Sequence, residues 1–309
     1  MLVTEKYEIR NYTHEDAEQI GHFNKILELS YLYNKDFTVD NIYCVVNEIN
    51  EICGVGHLEA DQSWGLIDKV ENNFTEDTRV YSLILNMSFN DTLTYPLELK
   101  DRLIKTLIER AYVLRKQYPN RKVSLKHYIS SDNSEEMDYY LSKGFVSEKN
   151  HMIMERDLNE KIPYFPLPDQ IKIKNWEMET IAEQQQYLKA EAEGDLDGLA
   201  WSIHRLQWFK GGPEWDTFTA FDGDKVVGSV MTWGIGENGA ATESIFVLPS
   251  WRRRGIAKAV VTQALKFLKE KGKETATLCV LGHNKNAIAL YQSLGYKVKY
   301  INVEFELQI

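Results

Sequence analysis

The feature that most constrains this chain is that one pattern is written in it twice. Asn133-x6-Tyr140-x3-Gly144-Phe145 returns 151 residues later as Asn284-x6-Tyr291-x3-Gly295-Tyr296. The segments before the two motifs share one order of elements. Each opens with a short strand (Tyr7–Arg10; Ile171–Lys174), then a helical stretch, then a hairpin. A strand follows (Ser82–Phe89; Thr242–Leu248), then a long helix (about Leu97–Gln117; about Gly255–Lys271) and another strand (Lys122–Ile129; Thr275–Leu281). A repeat that keeps its element order predicts two copies of one α/β unit. A chain of 309 residues gives each copy room for a core of its own.

Pro163, Pro166 and Pro168 fall within six residues and forbid regular structure, so residues 159–168 read as a stiff linker. The expected domains are 1–158 and 169–309. Charge divides unevenly between them. Residues 1–160 hold 18 Lys/Arg and 28 Asp/Glu, a net −10; residues 161–309 hold 18 of each, a net zero. An anionic ligand meets less repulsion in the second half. A pI near 5.3 with no basic stripe argues against nucleic acid. No apolar run reaches the roughly 18 residues that a membrane span needs. Cys44, Cys53 and Cys279 lack the spacing of a metal site or a disulfide framework, so no metal is expected. With no leader-like start at Met1–Arg10, a cytoplasmic location is the expectation.

Chemistry concentrates between Thr242 and Val261. Pro249 ends a strand, and Ile256, Val260, Val261, Ala264, Leu265 and Leu268 then mark one face of a helix. Gly255 and Ala257 keep the helix start bare, so backbone N–H groups and the dipole's positive end can meet an anion. Arg252, Arg253 and Arg254 add fixed positive charge. The stretch reads as a phosphate cradle or as an arginine-rich surface turn. Gly234-x-Gly236-x-x-Gly239 matches a dinucleotide fingerprint literally, but it leads into a strand and reads as a hairpin loop.

Arg252-x-x-Gly255-x-Ala257 after Val247-Leu-Pro249, with the later Asn284…Tyr291…Gly295-Tyr296, resembles the GNAT superfamily of acyl-CoA-dependent N-acetyltransferases. The resemblance covers residues 169–309, and the duplication is similar to tandem members of the family. It implies two GNAT-like domains, the first degenerate, each with a mixed, mostly antiparallel sheet flanked by helices. It implies acetyl-CoA as co-substrate, with the pyrophosphate held by Arg252, Arg253, Arg254, Gly255, Ile256 and Ala257. The backbone of Phe246, Val247 and Leu248 would meet the pantetheine arm, and Asn284 would contact the cofactor. Asn284 also reads as a helix N-cap. Tyr291 would protonate the departing thiolate, although its spacing with Ala287, Leu290 and Leu294 equally suits a core aromatic. Glu243 aligns with a strand glutamate of diamine acetyltransferases and would serve as base, unless it is a structural or surface carboxylate. Cys279 reads as buried packing, with no histidine placed to activate it.

The acceptor wall falls at about Ala190–Trp215, where Trp201, Trp208 and Trp215 accompany Glu191, Glu193, Asp195 and Asp197. This mix suits a cationic amine, or else a solvated acidic helix end above core tryptophans. The expectation is an N-acetyltransferase acting directly on a small-molecule amine. The rivals are a non-catalytic acyl-CoA binder and a peptide acetyltransferase. The equivalent loop of the first copy, Asn90–Arg102, has no glycine and carries Asp91, Glu98 and Asp101. One acyl-CoA per chain is therefore expected, in residues 169–309.

Overall fold

The computed structural model describes residues 7–33, 37–60, 80–93, 96, 98–117, 122–194, 201 and 203–309. Asp195 and Asp197, the side chain of Trp208 and residues 94, 95 and 97 of the first copy's loop lie outside these. The chain forms two compact units. One comprises Met1–Ile129, Asn133–Glu148 and Glu304–Ile309; the other comprises Ser130–Asp132 and Lys149–Val303.

In the first unit, β1 (Glu8–Asn11), β2 (Ile42–Val46), β3 (Ile52–Ala60) and β4 (Val80–Phe89) pair antiparallel in that order. β4 then pairs in parallel with β5 (Lys122–Ser130). Its α-helices among the described residues are α1 (Ala17–Phe23), α2 (Lys25–Tyr33), α3 (Glu98–Arg115) and α4 (Ser134–Ser142). α3 buries Leu99, Leu103, Ile104, Leu107, Ala111 and Leu114, a stripe at three- and four-residue spacing. Residues 304–309 complete this unit: the Ile309 N–H donates to the Val123 carbonyl at 3.0 Å, and Arg115 Nε donates to the Ile309 carbonyl at 2.8 Å.

In the second unit, residues 151–157 of β6 (Val146–Asp157) pair antiparallel with β11 (Thr275–Leu281). β11 pairs in parallel with β10 (Gly239–Val247). β9 (Lys225–Ile235), β8 (Asp216–Asp222) and β7 (Ile171–Asn175) follow antiparallel. Gly239 faces Ile235 in that ladder, so the glycine-rich stretch is the expected hairpin loop. Its α-helices among the described residues are α5 (Ile181–Gly194), α6 (Ile203–Lys210), α7 (Ile256–Glu270) and α8 (Lys285–Ser293). All six apolar positions read from the sequence of α7 are buried in one core with Phe218, Val227 and Leu278. Each such side chain contributes about 1.5–3 kcal/mol on burial, enough to fix the helix axis and hence its N-terminus.

The compact units are not the two chain halves expected from the prolines. Residues 149–158 precede the linker yet belong to the second unit, and residues 304–309, the end of β12 (Lys297–Gln308) and Ile309, belong to the first. β6 and β12, each of twelve residues, follow the repeated motif and were not anticipated. Residues 161–168 form no regular element, as three prolines dictate, and Ile162, Phe165 and Leu167 pack on the second unit's core.

Candidate active site

The site begins where a strand pair fails. β10 and β11 pair over only three positions, Gly239↔Thr275 to Ala241↔Thr277. Between Glu243 and Phe246 the register of β10 against β9 slips, and Ser244 takes a left-handed φ of +50°. A bulge of this kind bends one strand away from its neighbour. A cleft of about 780 Å³ opens there, lined by residues 244–247 of β10, by Arg252, Arg253 and Ala257, and by Asn284, Ala287 and Tyr291. A lobe of about 190 Å³ adjoins it, sharing Ser244, Ile245, Asn284, Ala287 and Tyr291 and adding Glu243 and Cys279.

Gly255 caps α7 with φ +81°, a conformation that favours glycine. A side chain there would also approach the Pro166 carbonyl to 3.5 Å. The first-turn N–H groups of Ile256 and Ala257 have no intrahelical acceptor and point out of the helix end. Ala257 and Arg253 line the cleft; Gly255 and Ile256 line an adjoining apolar hollow with them. Arg252 lines the cleft and also holds two backbone carbonyls. Its Nε donates to the Val247 carbonyl and its Nη2 to the Gly194 carbonyl, both at 3.0 Å. Arg254 lies over the Trp251 ring at 4.7 Å and is not among the residues that line the cleft.

The three residues expected to offer backbone, Phe246 and Val247 of β10 and Leu248 just after it, also separate. Leu248 donates its N–H to Val227 and accepts from the Trp251 N–H, so both its backbone groups are engaged. Alternation in an antiparallel ladder then turns Val247 the other way, toward the gap left by β11. Phe246 is buried against the Tyr187 ring and presses on Gly194, where a Cβ would stand 2.7 Å from Phe246 Cδ2.

Glu243 and Tyr291 meet in the small lobe. Burial pushes the Glu243 carboxyl up to about 7, and only the Cys279 backbone hydrogen bond opposes it. Burial, then the Glu243 charge, raises the Tyr291 hydroxyl well above its ordinary value. Asn284 accepts the Ala287 N–H at 3.1 Å as N-cap of α8 while lining both cavities, so capping and site placement coexist. Cys279 corrects the sequence reading twice: it is exposed rather than packed, and His151 Nδ1 lies 3.9 Å from its sulfur. His151 comes from β6, on the far side of the linker, so nothing local in the sequence could pair the two. Desolvation and then Glu243 hold that thiol up at about 11.

Along the stretch expected to face the acceptor, Glu191 is buried and lines the cleft with Trp201. Trp201 stacks on Phe209 with ring centroids 4.6 Å apart. Glu193 is exposed, and Trp215 packs with the apolar cluster instead of lining the cleft. Among the described residues no cluster of three His, Cys, Asp or Glu side chains is placed to hold a metal, and no helix is long and apolar enough to cross a membrane.

Residues 174–296 match the model of the acetyltransferase (GNAT) family. Over 85 residues the chain is 32% identical to a thialysine N-epsilon-acetyltransferase of Caenorhabditis elegans, covering 26% of this chain and 52% of that protein. The chain spans 27–52% of the length of the curated relatives it matches. Two solved structures share its fold over nearly the whole length. A GCN5-related N-acetyltransferase from Sphaerobacter thermophilus superposes with a TM-score of 0.72 at 16% identity, over 98% of this chain and 95% of the other. A tandem GNAT protein from the clavulanic acid biosynthesis pathway gives 0.68 at 11% identity, over 98% of each. Residues 174–296 are thus similar to the GNAT acetyltransferase family, and the chain shares its fold with GNAT proteins of known structure, a tandem one among them.

Proposed function

We propose that this chain moves the acetyl group of acetyl-CoA directly to the primary amine of a small molecule. The observation that carries the proposal is the meeting of Glu243 and Tyr291 in one lobe, each with its proton affinity displaced in the direction that acyl transfer requires. The residues present fit the co-substrate: a side-chain-free helix start at Gly255 with Arg253 beside it suits a pyrophosphate, and Asn284 and the Val247 backbone suit an amide-bearing arm.

Acetyl-CoA, when bound, supplies an activated thioester carbonyl. Glu243, near 7, is substantially ionised at neutral pH and takes a proton from the acceptor's ammonium, freeing the nitrogen lone pair to attack. Tyr291 keeps its hydroxyl protonated and gives that proton to sulfur as the C–S bond breaks and the C–N bond forms, and the proton that the nitrogen sheds on becoming an amide restores the hydroxyl. The products are an amide and a thiol. A Cys279 thiol at about 11 is almost wholly un-ionised near neutrality, which supports direct transfer over an acyl-cysteine route. A relative named as an N-epsilon-acetyltransferase supports an amine acceptor.

The test is thiol release from acetyl-CoA and from longer acyl-CoAs against panels of small amines and of peptides. Turnover confined to small amines is expected. Turnover confined to peptides would replace the acceptor class, and tight CoA binding without turnover would make the chain a sensor.

A further inference from the structure

We infer that Tyr296 is a positioning residue that holds Glu243 and Tyr291 in place relative to each other; this rests on the acetyl-transfer reading above. Tyr296 lies just past the end of α8. Its N–H donates to the Tyr291 carbonyl at 3.1 Å, and the two rings meet with centroids 6.0 Å apart. Its hydroxyl reaches across to β10 and bonds the Thr242 hydroxyl at 2.6 Å. Tyr296 is 2% exposed and Thr242 is fully buried, so no bulk water competes for that bond.

Thr242 precedes Glu243 and stands at the vertex of the gap between the strands. Its hydroxyl donates to the Thr277 carbonyl of β11 at 3.3 Å, and the Thr277 hydroxyl donates back to the Ala240 carbonyl at 3.2 Å. A hydroxyl carries one proton, so Tyr296 is the donor to Thr242. Three hydroxyls thus clasp β10 to β11 over their last paired rungs. Past Ala241↔Thr277 the ladder stops, and the Glu243 side chain takes the Cys279 N–H instead. That bond requires β10 and β11 to keep their spacing at Thr242, which is what the clasp fixes.

The first copy shows what the clasp adds. The ladder pairs Ser82↔Ser124 and Gly239↔Thr275, with the repeated motif, set Leu85, Lys126 and Phe145 where Thr242, Thr277 and Tyr296 stand. None of the three carries a hydroxyl. Phe145 keeps the packing part: its N–H donates to the Tyr140 carbonyl at 3.2 Å, and the rings meet at 5.1 Å. Ring and turn therefore need no hydroxyl, and the hydroxyl occurs in the copy that has Glu243.

The experiment is Tyr296→Phe, which keeps the ring and cuts the tie. Expected is a fall in kcat of about tenfold or more, with KM for acetyl-CoA within about twofold of the wild type. The titration of Glu243 should move to higher pH, because the amide that favours its charged form is no longer held in reach. Cys279 and Tyr291 share its lobe and stay un-ionised near pH 7, and His151 of β6 stands behind Cys279 at 3.9 Å. The shift is therefore read on the Glu243 carboxyl itself by carbon-13 NMR, with a melting curve to show that the variant is folded. Thr242→Val should repeat the loss, and Thr242→Ser should restore most of it. Combining Tyr296→Phe with Thr242→Val should cost no more than Thr242→Val alone, since both cut one bond. Wild-type kcat in Tyr296→Phe, or an unmoved Glu243 titration, would overturn the inference. A wild type that turns nothing over would defeat the transferase reading alone, and the NMR titration would still decide whether Tyr296 positions Glu243.

Discussion

β4 and β10 are the same strand of the same repeat, yet one stays closed and the other opens. β4 holds β5 over five paired positions, Val80↔Lys122 to Ile84↔Lys126, and runs against β3 from Ala60↔Leu83 to Gly54↔Phe89 with no slip of register. β10 loses β11 after three pairs and bulges at Ser244. In the first copy, His127 of β5 reaches the Leu85 carbonyl of β4 with its Nδ1 at 2.8 Å, and its ring stacks at 4.1 Å on Tyr140. Tyr140, the counterpart of Tyr291, is fully buried. The 151-residue offset aligns Ser124 with Thr275, so the pairs Ser82↔Ser124 and Gly239↔Thr275 correspond and Asn86 stands where Glu243 stands. Asn133 still caps its helix as Asn284 does, each accepting an amide at 3.1 Å. What packs has persisted in both copies. The groups proposed to react, Glu243 and Tyr291, stand where the pairing breaks.

Making the second copy resemble the first should cost the most at the cradle. Gly255→Glu places a side chain at φ +81° and a carboxylate where the first copy carries its own. Titration should find one CoA bound per wild-type chain and none detectable in the variant. A second site of similar affinity that survives the change would show that the first copy also binds.

Tyr291→Phe should lower kcat about 10²–10⁴-fold while CoA affinity stays within about twofold, because only a proton donor is removed. Wild-type turnover in that variant would take Tyr291 out of the mechanism. Glu243→Gln should lower kcat/KM and also erase its rise with pH through about 7, since the basic form of Glu243 exists only above that value. The same group gives a stability signature. Its folded pKa of about 7 exceeds the unfolded value of 4.5, so the wild type loses stability as pH climbs between them. By that linkage Glu243→Gln should be more stable at pH 8 by up to about 3 kcal/mol, with the gap closing toward pH 4.5. Melting curves that stay parallel across this range would mean that Glu243 titrates normally.

How much of this was legible in the sequence follows from the range over which each feature is encoded. The α7 stripe, the Asn284 cap and the bare Gly255 turn depend on residues within a few positions, and they stand where the pattern put them. The exchange of β6 and β12 between units depends on partner choice across half the chain, and no local periodicity records it. The bulge is carried by a serine, whose left-handed φ no residue preference announces. At Arg252 the sequence shows the charge but not its two backbone partners, because a guanidinium serves carbonyls as readily as a phosphate. Cys279 was misjudged because alternation with buried Leu278 and Val280 identifies a face without saying what lies over it.

The smallest effect tests the comparison most sharply, because it repeats one substitution at the matching position. Tyr140→Phe removes a hydroxyl that is buried and has no hydrogen-bond partner among the described residues. The ring keeps its stack on His127 and its edge contact with Phe145. A buried hydroxyl without a partner carries its desolvation cost uncompensated, so its loss should leave stability unchanged or raise it by up to about 1 kcal/mol. No reacting group meets Tyr140, so kcat should match the wild type. The same atom is thus removed from two equivalent tyrosines, one change costing orders of magnitude in turnover and the other nothing. A fall in kcat for Tyr140→Phe, with the melting temperature unaltered, would mean that the closed copy contributes to the reaction.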